Sequence, residues 1–110
     1  MKIIIHVDEM AKWKMVLSNL KHLNEFYNQA DDEIEVLVNG DAVNGVLKDC
    51  ELASDILTAF VSQNTLAVCQ NSLDQRQIKP EQLLAGANVV PAGVVELVEK
   101  QAAGFRYLRP

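Results

Sequence analysis

Apolar residues fall into two alternating patterns along this chain. Short runs rich in β-branched and aromatic residues occur at Lys2 to Val7 (Lys-Ile-Ile-Ile-His-Val), Ile34 to Asn39, Thr65 to Cys69, Asn88 to Val90 and Phe105 to Leu108. Runs of this length, bounded by polar or turn-forming residues, predict strands, and a nearly unbroken apolar run predicts a strand buried on both faces. Between the runs, apolar positions recur every three or four residues. Trp13, Val16, Leu17, Leu20, Leu23 and Tyr27 mark an amphipathic helix that starts at Met10 and breaks at Asp31-Asp32, with Trp13 as a core residue. Leu47, Cys50, Ala53, Ile56, Leu57, Phe60 and Val61 predict a second long helix with Cys50 on its buried stripe, after an irregular stretch from Val43 to Asp49. Gln70-Asn71-Ser72 offers capping residues for one or two short helices between Ser72 and Leu84, restarted at Lys79-Pro80-Glu81. Pro91 opens a last helix with apolar Val94, Val95, Leu97 and Val98, and Gly104 ends it.

Strand and helix therefore alternate from end to end. That order predicts an α/β fold, a three-layer α/β/α sandwich in which helices cover both faces of a five-stranded parallel sheet, formed as one domain over residues 1–110. Parallel strands joined by right-handed crossovers gather their carboxyl ends on one edge, where loops lead into helix N-termini and ligands collect. Here that edge is built from Val7-Asp8, Asn39-Gly40-Asp41, Cys69-Gln70-Asn71 and Val90-Pro91-Ala92-Gly93.

Composition narrows the function classes. With 49% hydrophobic and 23% charged residues the chain can bury a core, and its net charge of −5 argues against binding a nucleic-acid backbone. Two cysteines make no disulfide framework, so a reducing compartment is expected. His6, Asp8 and Glu9 interrupt the only N-terminal apolar run, and no segment approaches the roughly 20 apolar residues that span a bilayer. The expectation is a cytoplasmic protein without a membrane partner. Asp8-Glu9-Met10 follows the first strand where a dinucleotide fingerprint would carry glycines, and no phosphate-binding Gly-Lys loop exists, so no cofactor is implied.

Cys69 is the most informative position, because it ends an inner strand immediately before a helix. Helix N–H groups favour thiolate over thiol, which would make Cys69 a nucleophile or sulfur carrier; the other reading is a core cysteine. No Cys-x-x-Cys accompanies it, which disfavours a self-contained dithiol cycle. His6, near the end of the first strand, is either a base facing the same cleft or a structural residue. Asp8, Asn39, Asp41 and Asn71 complete a candidate ligand-binding set at the strand ends. His22 lies on the first helix far from His6, and no ligand spacing suggests a metal.

Four segments together resemble the DsrE/DsrF-like family, which includes the YchN-like proteins of sulfur metabolism. They are Glu35-Val36-Leu37-Val38-Asn39-Gly40-Asp41-Ala42-Val43, Val68-Cys69-Gln70-Asn71-Ser72-Leu73, Val90-Pro91-Ala92-Gly93-Val94-Val95-Glu96-Leu97-Val98, and Gly104-Phe105-Arg106-Tyr107-Leu108-Arg109-Pro110. The resemblance implies a five-stranded parallel sheet, a cytoplasmic role, homotrimers or homohexamers, and a persulfide-carrying cysteine after the third strand, which maps onto Cys69. It also implies a sulfur-acceptor protein as partner. Other members with a Cys-x-Asn segment resemble stand-alone domains, and this chain is closer to those. A sulfurtransferase-like carrier is thus one expectation; a non-catalytic ligand-binding or oligomeric scaffold domain is the other.

Overall fold

The β-branched runs pair into one sheet in which every neighbour is parallel: β1 (Lys2–Val7), β2 (Glu33–Val38), β3 (Asn64–Cys69), β4 (Ala87–Val90) and β5 (Arg106–Leu108). The structure is a computed structural model and describes residues 1–110. The strands lie in the order β4-β3-β2-β1-β5. The connecting helices are α1 (Trp13–Phe26), α2 (Ala53–Ala59), α3 (Gln70–Gln75) and α4 (Gly93–Ala102), with short 3₁₀ turns at Met10–Lys12, Gly40–Val46 and Pro80–Gln82. No helix is long and apolar enough to cross a membrane. The expected five-stranded parallel α/β/α sandwich is present.

Strand order decides which helix covers which face. The chain steps from β1 to β2, β3 and β4 in one direction, so right-handed crossovers put α1, α2 and α3 on one face. From β4 it returns across the sheet to β5, and the same handedness sends α4 to the other face. Burial records the asymmetry. Ile3, Ile5, Val7, Val36, Val38, Leu66 and Val68 join Trp13, Val16, Leu20 and Ile56 in a core of 19 buried residues. On the other face Ile4, Leu37, Ala67, Leu97 and Phe105 form a cluster of 5. At roughly 1.5–3 kcal/mol for each fully buried large apolar side chain, α1, with three of them, is held several times more firmly than α4, which contributes only Leu97.

Two expectations need correction, and α4 adds a finding of its own. The second helix begins at Ala53, and Cys50 lies half-buried in the turn before it. The cause is tertiary: Lys48 N–H donates to the Gln82 carbonyl at 2.9 Å and Leu84 N–H to the Val46 carbonyl at 2.9 Å, which holds the segment around Leu47 extended. The long first helix is divided, with a 3₁₀ turn leading into Trp13 and the α-helix ending at Phe26. In α4 the apolar stripe faces outward: Val94, Val95 and Val98 are 64%, 51% and 66% exposed.

Candidate functional site

The two loops that leave the sheet for opposite faces follow β3 and β4, and in open α/β sheets such a divergence opens a crevice at the carboxyl edge. Cys69, the last residue of β3, stands opposite Val90, the last residue of β4. α3 begins at the residue after Cys69, while Gly93 starts α4 and donates its N–H to the Cys69 sulfur at 3.2 Å. A side chain there would be tightly crowded. A β-carbon at Gly93 would come within 3.2 Å of Asn39 Cβ and 3.3 Å of both Cys69 Cβ and Leu37 Cδ1.

Opposing influences act on this thiol. Cys69 is 5% exposed, and burial pushes its ionisation up; the Ser72 hydroxyl and the N–H groups of Ser72, Gly93 and Asn71 pull it down and prevail. Ser72 can donate because its oxygen is already fixed from the other side, accepting the Gly40 N–H at 2.8 Å. The loop after β2 thereby orients the hydroxyl that stabilises a thiolate on β3.

His6, Asn39 and Cys69 project from the α4 face of β1, β2 and β3, and Tyr107 of β5 joins them across the β1–β5 pairing. Tyr107 Oη lies 2.7 Å from His6 Nδ1, and His6 Nε2 lies 2.8 Å from Asn39 Oδ1. With the amide oxygen facing it, Nε2 carries the proton and donates, and Nδ1 accepts from the tyrosine hydroxyl. The Asn39 amide NH₂ is left free for a ligand, beside the point where Gly93 and Cys69 meet. Thus Asn39, His6 and Cys69 are brought to one edge of the sheet.

The other candidates are placed differently. Asp8 is paired with Arg109 at 3.1 Å. Asp41 is exposed in the 3₁₀ turn, where its side chain accepts from Asn44 at 3.2 Å. Asn71 is exposed on the first turn of α3 and reaches Cys69 through its backbone N–H. Sequence reasoning missed Tyr107 and Ser72 as parts of this site, whereas Gly93 lies on the strand-end edge it marked out. Ser72 carried a capping signal, but Tyr107 depended on β5 lying beside β1, which no local pattern encodes. No group of three or more His, Cys, Asp or Glu side chains is arranged to hold a metal. An open groove of about 710 Å³ between α1 and α2, lined by Lys14, Leu17, Lys21, Asp55 and Val61, does not reach Cys69.

A small parallel α/β domain with a thiol at the strand-end crevice is the class these features define. The chain belongs to the DsrE/DsrF-like family, whose model matches residues 4–110. A protein of unknown function from Methanobacterium thermoautotrophicum, MTH1491, is 27% identical and superposes with a TM-score of 0.89, over 99% of this chain and 98% of that one. The ychN protein from E. coli shares the fold at 18% identity, with a TM-score of 0.79 over 100% of both chains. No curated protein matches the chain.

Proposed function

We propose that this protein is a persulfide carrier in sulfur relay, with Cys69 as the sulfur-bearing residue. The observation that carries the reading is the convergence of the Gly93 N–H and the Ser72 hydroxyl, from two separate segments, on a buried cysteine sulfur. Membership of the DsrE/DsrF-like family supports it. The reaction is a sulfur-atom transfer without net oxidation. The Cys69 thiolate attacks the outer sulfur of a donor persulfide R–S–SH, a new S–S bond forms as the donor S–S bond breaks, and R–S⁻ leaves. The product is Cys69–S–SH. A thiolate on an acceptor protein then attacks that outer sulfur and restores the Cys69 thiolate. Asn39, oriented by His6 and Tyr107, offers its free NH₂ to the transferred sulfur as it carries charge.

Exposure of the native chain to a low-molecular-weight alkyl persulfide is expected to add one sulfur atom to Cys69, read by intact mass and peptide mapping. Cys69→Ser is expected to abolish that addition, and Cys50→Ser to leave it unchanged. Loading of the Cys69→Ser chain would overturn the carrier reading.

The assembly belongs to the same proposal. Val94, Val95 and Val98 form an exposed apolar stripe on the thinly covered face of the sheet, suited to burial against further copies of the chain. A homotrimer, or a hexamer made of two trimers, is the expected state. Light scattering at micromolar concentration should give a multiple of the 12.2 kDa chain mass, and a monomer would contradict it.

A further inference from the structure

Beneath α4 the sheet carries a carboxyl group that sulfur transfer does not use. Glu35 projects from the middle of β2 on the same face as Leu37 and Asn39, and it is 4% exposed. Its Oε1 lies 3.6 Å from Lys100 Nζ, whereas its Oε2 is buried with no hydrogen-bond partner. A second carboxyl group, Glu96, stands one turn before Lys100 on α4, close enough for its charge to bear on Glu35. Other elements supply no further countercharge. Lys2 of β1 is paired with Glu33 at 3.8 Å, and Thr65 stands opposite on β3. Burial, followed by the proximity of the Glu96 carboxyl, pushes the Glu35 carboxyl up to about 7, against a weaker pull from Lys100.

The same helix touches both groups. Its first N–H is on the Cys69 sulfur, its Glu96 and Lys100 lie over Glu35, and Leu97 alone among its large side chains is buried between them. An element anchored by so little apolar surface is one whose seating a single buried charge can shift.

We propose that Glu35 is a proton-gated seat for α4: protonated, it lets the helix lie on the sheet with the Gly93 N–H on Cys69, and ionised, it lifts the helix and withdraws that donor. This regulation rests on the reading of Cys69 as the working thiol. Protonated Glu35 donates to Glu96 and satisfies both carboxyl groups. Ionised Glu35 sets a buried negative charge against that of Glu96 on the helix, with only the partly exposed Lys100 ammonium beside it. The thiolate is then best supported below neutrality, and a rise in pH that favours ionisation of Cys69 also removes one of its donors.

Two readouts on the full-length chain test the gate. In a Cys50→Ser background, the pH profile of Cys69 alkylation is expected to have its midpoint about one pH unit lower in Glu35→Gln than in the unmodified Glu35 chain, since one hydrogen bond to a thiolate is retained throughout. With Cys69 also replaced by Ser, so that no thiol titrates against it, the Gly93 amide resonance is expected to titrate near neutrality, to stay fixed on adding Glu35→Gln, and to titrate at lower pH on adding Glu96→Gln. Identical alkylation profiles, or a Gly93 amide that does not move between pH 6 and 8, would overturn the gate. The amide titration is independent of sulfur chemistry. A titrating Gly93 in a protein that accepts no sulfur would retain the gate and remove the carrier reading alone.

Discussion

Gly45→Ala is expected to destabilise the protein by about 3 kcal/mol, lowering the midpoint of thermal unfolding by roughly 13 °C. A β-carbon at Gly45 would lie 2.8 and 2.9 Å from Cδ1 and Cε2 of the Trp13 indole, and closer still to Nε1. The ring cannot yield. Trp13 is wholly buried within the 19-residue core, and its Nε1–H donates to the Ala42 carbonyl at 3.0 Å inside the same 3₁₀ turn that carries Gly45. A methyl group must therefore displace either a close-packed tryptophan or the turn that satisfies it. The turn begins at Gly40, whose N–H fixes Ser72, so the disturbance extends toward Cys69. Urea and thermal denaturation measure the effect; a loss below about 1 kcal/mol would mean that the turn shifts freely and that this packing argument is wrong.

Glu35→Gln is expected to have the next largest effect on stability, with the opposite sign and only at neutral to alkaline pH. The Glu35 carboxyl is held at about 7 in the folded chain, first by burial, against an ordinary 4.5. The folded state thus binds more protons than the unfolded state between these values, so stability falls as pH rises through that window. Below about pH 4 both states are protonated and the glutamate costs nothing extra. Above about pH 8 the buried carboxylate costs on the order of 2 kcal/mol, after allowance for the partly exposed Lys100 beside it. Glutamine keeps the volume and a hydrogen-bond donor while removing the charge. Denaturation midpoints of the two proteins should coincide near pH 4 and separate progressively to pH 8, with Glu35→Gln the more stable. Parallel curves across that range would show that Glu35 ionises freely in the fold.

Much of the architecture is legible in the residues themselves. The β-branched runs around Ile3-Ile4-Ile5 and Val36-Leu37-Val38 are strands buried on both faces, as their composition predicts, and the spacing of Trp13, Val16 and Leu20 matches the buried stripe of α1. The position of Cys69 between an apolar strand and a capping sequence identifies the strand-end thiol. The remainder depends on tertiary order. Cys50 falls on an apolar period of three and four, yet the backbone bonds from Lys48 and Leu84 across to Gln82 and Val46 override that periodicity. Val94, Val95 and Val98 are legible as the apolar residues of the last helix, but that they face outward follows only from α4 alone covering its face of the sheet. Tyr107 enters the site only through the β1–β5 pairing, and Glu35 is notable only because α4 crosses above it. In each case the information lies in strand order, which local pattern does not carry.

The central claim is that the strand-end environment makes Cys69 an unusually acidic thiol despite its burial. The direct measurement is the pH dependence of alkylation at both cysteines of the native protein, resolved by peptide mass. Accessibility alone favours Cys50, which is half-buried in a turn, whereas the donors gathered from Ser72, Gly93 and Asn71 favour Cys69. The account predicts that Cys69 ionises below the ordinary thiol value of about 8.5 and is modified before Cys50 at neutral pH. A Cys69 that ionises at or above that value, or that reacts no faster than Cys50, would contradict it.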